Sequence, residues 1–235
     1  MTIEYLKKAD RKSTDDAGDV NATVKAILDD IEAGGDEAAR RYAAKFDKYD
    51  GNVVLTRDEI DAASAKVSQK LKDDIRFAWD NVRIFAEAQK ETIKDTQVEL
   101  RPGLIAGQKA IPCQAAGCYA PGGRYSHIAS ALMTVTTAKV AGCGHITACS
   151  PPRPETGIAP DLTLLYTAPM LWRCLIVISG TLAEVQGILA AMAFGLFRKL
   201  PKWIFGWTGN QFVAEAKTGC LFGRVGIDMF RRSER

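Results

Sequence analysis

Residues 117 to 125 read GCYAPGGRY and place Tyr119 just ahead of a Pro-Gly-Gly turn. Gly122 and Gly123 have no Cβ, so the backbone there can turn sharply and let a ligand approach closely. A helix that follows such a turn offers free N–H groups and a positive dipole end, which suit a phosphate. Tyr119 offers a flat face or a hydroxyl to a nucleotide. The turn after Pro121 is not G-x-G-x-x-G, and a simple tight connection is the alternative reading.

Two more polar residues stand near the starts of predicted helices. Asn210 follows Gly209 and is either a plain N-cap or a cap that also contacts a ligand. Gln186 begins an otherwise apolar helix, so its amide needs a partner from the backbone or from a ligand.

Residues suited to catalysis or to metal binding are scarce. The only histidines are His127, a substrate-contact or loop residue, and His145, which is more typical of a strand edge. They form no H-x-x-H or H-E-x-x-H pattern. The six cysteines form no C-x-x-C pair and are predicted to be reduced, mostly buried thiols. No catalytic residue and no metal ligand is assigned.

Composition indicates a globular chain of one or two domains, with 235 residues of which 47% are hydrophobic. The net charge of +3 comes from dispersed charges, so a nucleic-acid or anionic-membrane partner is not expected. The N-terminus lacks a secretory signal, and a cytoplasmic protein is predicted. Arg173 and Glu184 interrupt the apolar stretch 162–197, which favours a buried strand and a core helix over a membrane span.

The first hundred residues have helical periodicity. Gly34-Gly35 is predicted to end a first helix, and Asp36 to cap the next. Thr56 and Glu59 form a capping-box pattern. A further helix has a predicted apolar stripe, formed by Leu71, Ile75, Ala78, Val82 and Phe85.

The period changes after Thr96. A hairpin is predicted around Pro102-Gly103, which marks a domain boundary near residue 100. Beyond it the pattern predicts alternating strands and helices: strands 115–120, 145–150, 175–179 and 203–205, with helices 129–142, 185–197 and 211–217. This alternation is typical of an α/β domain, whose ligand binds at the carboxyl ends of its strands.

The motifs, taken in order, resemble those of the histidinol dehydrogenase family. They are GLIAGQKAIPCQAAGCYAPGGRYSHIASALMTVTTAKVAGCGHITACSPP, VQGILAAMAFG, GNQFVAEAK and LFGRVGID. The resemblance implies a helical N-terminal region, 1–100, followed by an incomplete Rossmann-like parallel-sheet domain, 101–235. It also implies an NAD-dependent, zinc-dependent homodimeric enzyme that oxidises a small polar alcohol to a carboxylate.

Cofactor-binding positions follow from the same resemblance. Tyr119, Gln186 and Asn210 match the family's NAD-contacting residues, and NAD would lie over the turn formed by Pro121, Gly122 and Gly123. The segment His127-Ile128-Ala129-Ser130 departs from the histidinol enzymes and is closer to the branch that oxidises a sulfopropanediol.

The family's zinc ligands and its Glu-His acid/base pair lie beyond the motif that ends at Asp228, seven residues before the last residue. The chain is therefore predicted to be an N-terminal part that is inactive alone, with a non-catalytic nucleotide-binding fragment as the alternative. Residues 161–184 and the arginine-rich end depart from the family consensus. Reading-frame slips or genuine divergence would explain this, and sequencing the coding DNA would decide between them.

Overall fold

The computed structural model describes residues 15–47, 49, 51, 53–120, 127–151, 174–177, 190–197 and 204–206. The elements defined there are α1 (Asp15–Asp47), α2 (Arg57–Ala65), α3 (Gln69–Glu91), β1 (Thr96–Arg101), β2 (Leu104–Gln108), β3 (Ala115–Tyr119), α4 (Ile128–Ala141), β4 (His145–Ser150), β5 (Cys174–Val177) and β6 (Ile204–Gly206). Helices come first and strands follow, as the change of periodicity predicts. The fold is a mixture of helices with small parallel and antiparallel sheets.

Helix α1 consists of two helical halves that meet at Gly35. Gly35 has φ 57° and ψ −142°, a combination that a residue with a Cβ adopts only under strain. The predicted break is confirmed. Asp36, predicted as a cap, has a carboxylate oxygen that accepts a hydrogen bond of 2.8 Å from the Phe197 N–H. It thereby ties α1 to a segment far along the chain.

Helix α2 begins with the predicted capping box. The Thr56 side chain accepts from the Glu59 N–H, and the Glu59 carboxylate accepts from the Thr56 N–H at 2.7 Å. Both groups satisfy backbone donors that the first helical turn leaves unpaired.

Helix α3 turns its predicted apolar stripe toward the core, with Ile75 buried and Leu71, Ala78 and Val82 partly buried, but one member needs correction. Ile75 is fully buried, but Phe85 is 65% exposed and Ala86 is buried in its place. Residues three and four positions after Val82 can both lie on the same face of a helix, so the sequence pattern allows either Phe85 or Ala86 on the buried side. Helix α3 packs against α4, and the burial of Ala86 rather than Phe85 shows which of the two positions faces the protein interior.

Strands β1 and β2 form the predicted antiparallel hairpin around Pro102-Gly103. Gly103 has φ 78°, and its N–H donates a 2.8 Å hydrogen bond to the Glu99 carboxylate. Every residue of both strands is exposed.

The other four strands form a parallel sheet in the order β5-β4-β3-β6. Helix α4 connects β3 to β4 and packs against α3, which confirms the predicted strand-helix-strand unit. The later strands were also predicted, with bounds that differ by one or two residues.

The sheet has a separate core on each face. Because side chains alternate along a strand, Tyr119 packs with the buried residues of α1, while Cys118 packs with α3 and α4. The cluster on the α1 side also contains Cys149 and residues 190–193, which belong to the predicted helix 185–197. The rest of that predicted helix before residue 190 lies outside the described residues.

Within the described ranges, no helix is long and apolar enough to cross a membrane. Strand β5 lies inside the apolar stretch 162–197, where a buried strand was predicted. The predicted helix 211–217 falls outside the described residues.

Candidate functional site

The carboxyl ends of the parallel strands meet at one edge of the sheet. Strands β3 and β6 are neighbours there, with Cys118 opposite Gly206. The predicted Pro-Gly-Gly turn begins two residues after Tyr119, and Gly209-Asn210 begins three residues after Gly206. The chain therefore enters both predicted ligand-binding turns from adjacent strands at the same edge.

Tyr119 is the one predicted cofactor-binding residue that the structure describes. Its side chain is only 3% exposed and packs in the core cluster shared with α1. Just beyond it, the Ala120 N–H donates a 2.8 Å hydrogen bond to the Cys149 carbonyl, which continues the pairing of β3 with β4. The end of β3 is thus held firmly where the turn begins.

Helix α4 begins at Ile128, soon after that turn, as the sequence predicts. His127 occupies the N-cap position but makes no side-chain capping hydrogen bond. Its imidazole is exposed, which is compatible with either the loop role or the substrate contact predicted for it. The first-turn N–H groups of α4 lie on the chain that leaves the carboxyl end of β3, where an anion would gain from the helix dipole.

The remaining predicted positions have no structural description. Pro121, Gly122, Gly123, Gln186 and Asn210 all lie outside the described residues, so their contacts stay predictions. His145 begins β4, at the opposite edge of the sheet, and its Nε2 lies 3.4 Å from the Thr147 hydroxyl. His145 is remote from the carboxyl ends of the strands, which agrees with its prediction as a residue at the end of a strand rather than a ligand.

Ser150 and Pro151 are two buried residues at the carboxyl end of β4 that the sequence did not assign to the site. The Ser-Pro-Pro run at this place in the sequence indicates that a strand ends, but it does not indicate a functional site. Ser150 is 4% exposed and pairs with Val177, so it lies at the same edge as Tyr119.

Cys149 is the deeply buried thiol nearest this edge. Burial raises its pKa well above the usual value of 9.0, and the neighbouring Cys118 raises it further. Its S–H donates to the Cys118 carbonyl at 3.4 Å, and its sulfur lies 3.8 Å from Met192 Sδ. Cys149 therefore stays protonated at neutral pH and is a packing residue rather than a nucleophile.

No group of three or more His, Cys, Asp and Glu side chains suited to a metal ion occurs among the residues that the structure describes. These residues do not fit a zinc site, and no zinc ligand is assigned to them.

Comparison with known proteins identifies the family to which this chain belongs. The histidinol dehydrogenase family model matches residues 10–233, so the chain belongs to the histidinol dehydrogenase family. Among its relatives, a sulfopropanediol 3-dehydrogenase from Ruegeria pomeroyi is 63% identical over 97% of this chain and 51% of the relative. A histidinol dehydrogenase homolog from the same organism is 50% identical over 98% of this chain and 52% of the relative.

A solved structure agrees with the sequence relatives. The crystal structure of histidinol dehydrogenase from Elizabethkingia anophelis matches with a TM-score of 0.81 at 30% identity, covering 97% of this chain and 49% of that one. The chain thus spans about half the length of the relatives it matches. The family assignment and the similarity to sulfopropanediol 3-dehydrogenase confirm the resemblance stated from the motifs.

Proposed function

We propose that this chain supplies the NAD-binding part of a zinc-dependent alcohol dehydrogenase that oxidises a small polar alcohol to a carboxylate. The 63% identity to a sulfopropanediol 3-dehydrogenase favours a sulfopropanediol-like substrate over histidinol. Relatives named as dehydrogenases extend to about twice the length matched here. The complete reaction is therefore proposed for the protein that contains this part together with the remaining half.

The strand order is the observation that carries the NAD proposal. Taken in chain order, the parallel strands lie third, second, first and fourth across the sheet. The dinucleotide-binding Rossmann domain begins with the same order, and its ligand binds where the order reverses. Here the reversal falls between β3 and β6, the strands that lead into the two predicted turns.

The residues at this crevice have complementary roles in the proposal. The turn of Gly122 and Gly123 lets the pyrophosphate approach the backbone, and the start of α4 offers it N–H groups and a positive dipole end. Tyr119, Gln186 and Asn210 are the residues proposed to contact the cofactor. When bound, NAD accepts the hydride from the alcohol; the residues of this chain hold and orient it.

The proposal keeps the division into a helical region, 1–100, and a Rossmann-like domain, 101–235. It also includes a homodimer. Large apolar side chains exposed on α3 and on the hairpin support association, among them Phe77, Phe85, Leu100 and Ile105. Sedimentation velocity would give the mass of the assembled protein.

Calorimetric titration with NAD tests the binding role. We expect Gly123→Ala to weaken NAD binding about tenfold or more, because the added methyl group would stand in the path of the pyrophosphate. Tyr119→Phe keeps the buried ring and removes only the hydroxyl. It is expected to weaken binding by severalfold, as for the loss of one hydrogen bond of about 1 kcal/mol.

Gly144→Ala is the matched control at the opposite edge of the sheet. Its new Cβ would lie 3.5 Å from the Gln114 carbonyl oxygen, an ordinary contact, so NAD affinity should not change. Equal affinities for Gly123→Ala, Gly144→Ala and the unchanged protein would contradict the assigned site. If the protein that also contains the remaining half binds NAD but does not reduce it in the presence of a sulfopropanediol, the non-catalytic alternative is favoured.

A further inference from the structure

Cys113 and Cys143 each lie two residues before the amino end of a strand, β3 for Cys113 and β4 for Cys143. The two strands pair in a continuous register, and the first pair is Ala115 opposite His145. The pairing continues one step outward, since the His145 N–H donates a 3.0 Å hydrogen bond to the Gln114 carbonyl. Cys113 and Cys143 come directly before Gln114 and Gly144, just outside the residues that pair in the two strands.

The segments on either side of the two cysteines also run together. A Cβ built on Gly142 would lie 3.5 Å from the Cβ of Pro112. The Cys143 N–H donates to the Ala138 carbonyl at 3.1 Å, which fixes the backbone where α4 ends. Neighbouring strands lie about 4.7–4.9 Å apart, within the Cα separation of about 4.4–6.8 Å that a disulfide spans.

The two thiols are free, and they differ in exposure. Cys113 is exposed, whereas Cys143 is partly buried and packs against the α3–α4 side of the sheet. Burial raises the pKa of the Cys143 thiol, and the negative charge of a Cys113 thiolate raises it further.

Cys118 and Cys149 occupy the same two strands but face different ways. Cys118 pairs with Ala148, and Cys149 pairs with Tyr119, so the two thiols belong to adjacent rungs of the ladder. Successive side chains point to opposite faces, and these cysteines accordingly pack in different core clusters.

We propose that Cys113 and Cys143 are an oxidation site that closes to a reversible disulfide when the protein meets a peroxide. The Cys113 thiol releases its proton, and the thiolate attacks a peroxide oxygen; the O–O bond breaks, a sulfenic acid forms, and the leaving hydroxide takes up a proton to give water. The Cys143 thiolate then attacks the Cys113 sulfur, forming the S–S bond and displacing hydroxide, which takes up a proton. In sum, two thiols and one hydrogen peroxide become a disulfide and two waters.

The position of the two cysteines determines how the disulfide would affect stability and cofactor binding. The bond would join the amino ends of β3 and β4, at the edge opposite Tyr119 and the proposed NAD turns. Closing this chain loop restricts the unfolded state. We expect oxidation to raise the thermal midpoint and to leave the carboxyl edge accessible.

Peptide mapping of the folded protein tests the proposal. After hydrogen peroxide, alkylation and trypsin, we expect the peptide that starts at Ala110 to be linked to the one that starts at Val140, with the loss of two hydrogen atoms. A thiol reductant should separate them. Each peptide also contains a second cysteine, so variants identify the bond.

Cys113→Ser changes an exposed side chain and is expected to fold normally while losing the linked pair and the rise in thermal midpoint. Cys143→Ser should lose both as well. Persistence of the link in Cys113→Ser would assign it to the buried thiols and overturn the proposal. Peroxide treatment that oxidises Cys113 in the unchanged protein without linking the peptides would overturn it too.

Discussion

At the scale of single residues, the buried Cys149 thiol shows how strongly position changes chemistry. Its raised pKa means that the folded state keeps a proton that the unfolded chain releases around the usual thiol pKa of 9.0. The stability due to this difference is fully present below the unfolded-state pKa. It is lost as the pH rises toward the folded-state pKa.

Cys149→Ala removes this titration. We expect the free energy of unfolding of the unchanged protein to exceed that of the variant near pH 7, because the thiol fills its site beside Met192. The gap should narrow near pH 10. Urea denaturation of both proteins at the two pH values measures it, and a gap that does not change with pH would contradict the assigned titration.

At the scale of elements, the break in α1 depends on one backbone conformation. Gly35→Ala should destabilise the protein by about 1–3 kcal/mol, since nothing near the new Cβ would clash and the cost is conformational alone. An ordinary helical glycine changed to alanine stabilises instead. Urea denaturation gives the sign directly, and a gain in stability would mean that α1 is continuous in solution.

Local sequence signals predicted elements well where the cause was local. The Thr56–Glu59 capping box, the Pro102-Gly103 turn and the glycine break in α1 each depend on residues within a few positions of one another. Phe85 shows the limit of such signals. The pattern allowed either Phe85 or Ala86 on the buried side of α3, and the folded structure buries Ala86.

At the scale of the whole molecule, one core joins the helical N-terminal region to the parallel sheet. Ile31 of α1 is fully buried in the cluster that also contains Tyr119 and Cys149. This shared packing should make α1 and the sheet unfold together, even though the sequence suggests a domain boundary near residue 100.

Ile31→Ala should lower the free energy of unfolding by about 2–5 kcal/mol, the usual cost of emptying a buried isoleucine site. It should weaken hydrogen-exchange protection in β3 and β4 as well as in α1. Ile84→Ala, at a 57% exposed position of α3, is the control and should change stability by less than about 0.5 kcal/mol. Loss of protection confined to α1 would show that the two parts unfold separately.

The candidate site was only partly accessible to sequence reasoning. The motif around Tyr119 indicated a strand, a turn and a helix in that order, and β3 and α4 confirm the two described elements. The roles of Gly122, Gly123, Gln186 and Asn210 remain predictions. Ser150 was missed, because a strand-ending Ser-Pro-Pro run carries no sign of which strand end it will lie beside.

The sequence alone determined the caps, turns, helix break, strand-helix-strand unit and family, because each depends on neighbouring residues or on ordered motifs. Only the tertiary structure decided the strand order, the burial of Tyr119 at the sheet edge and the closeness of the backbone segments that precede β3 and β4. These features join residues tens of positions apart. Their placement depends on which strands pair and on which faces the helices cover, and no local pattern encodes that choice.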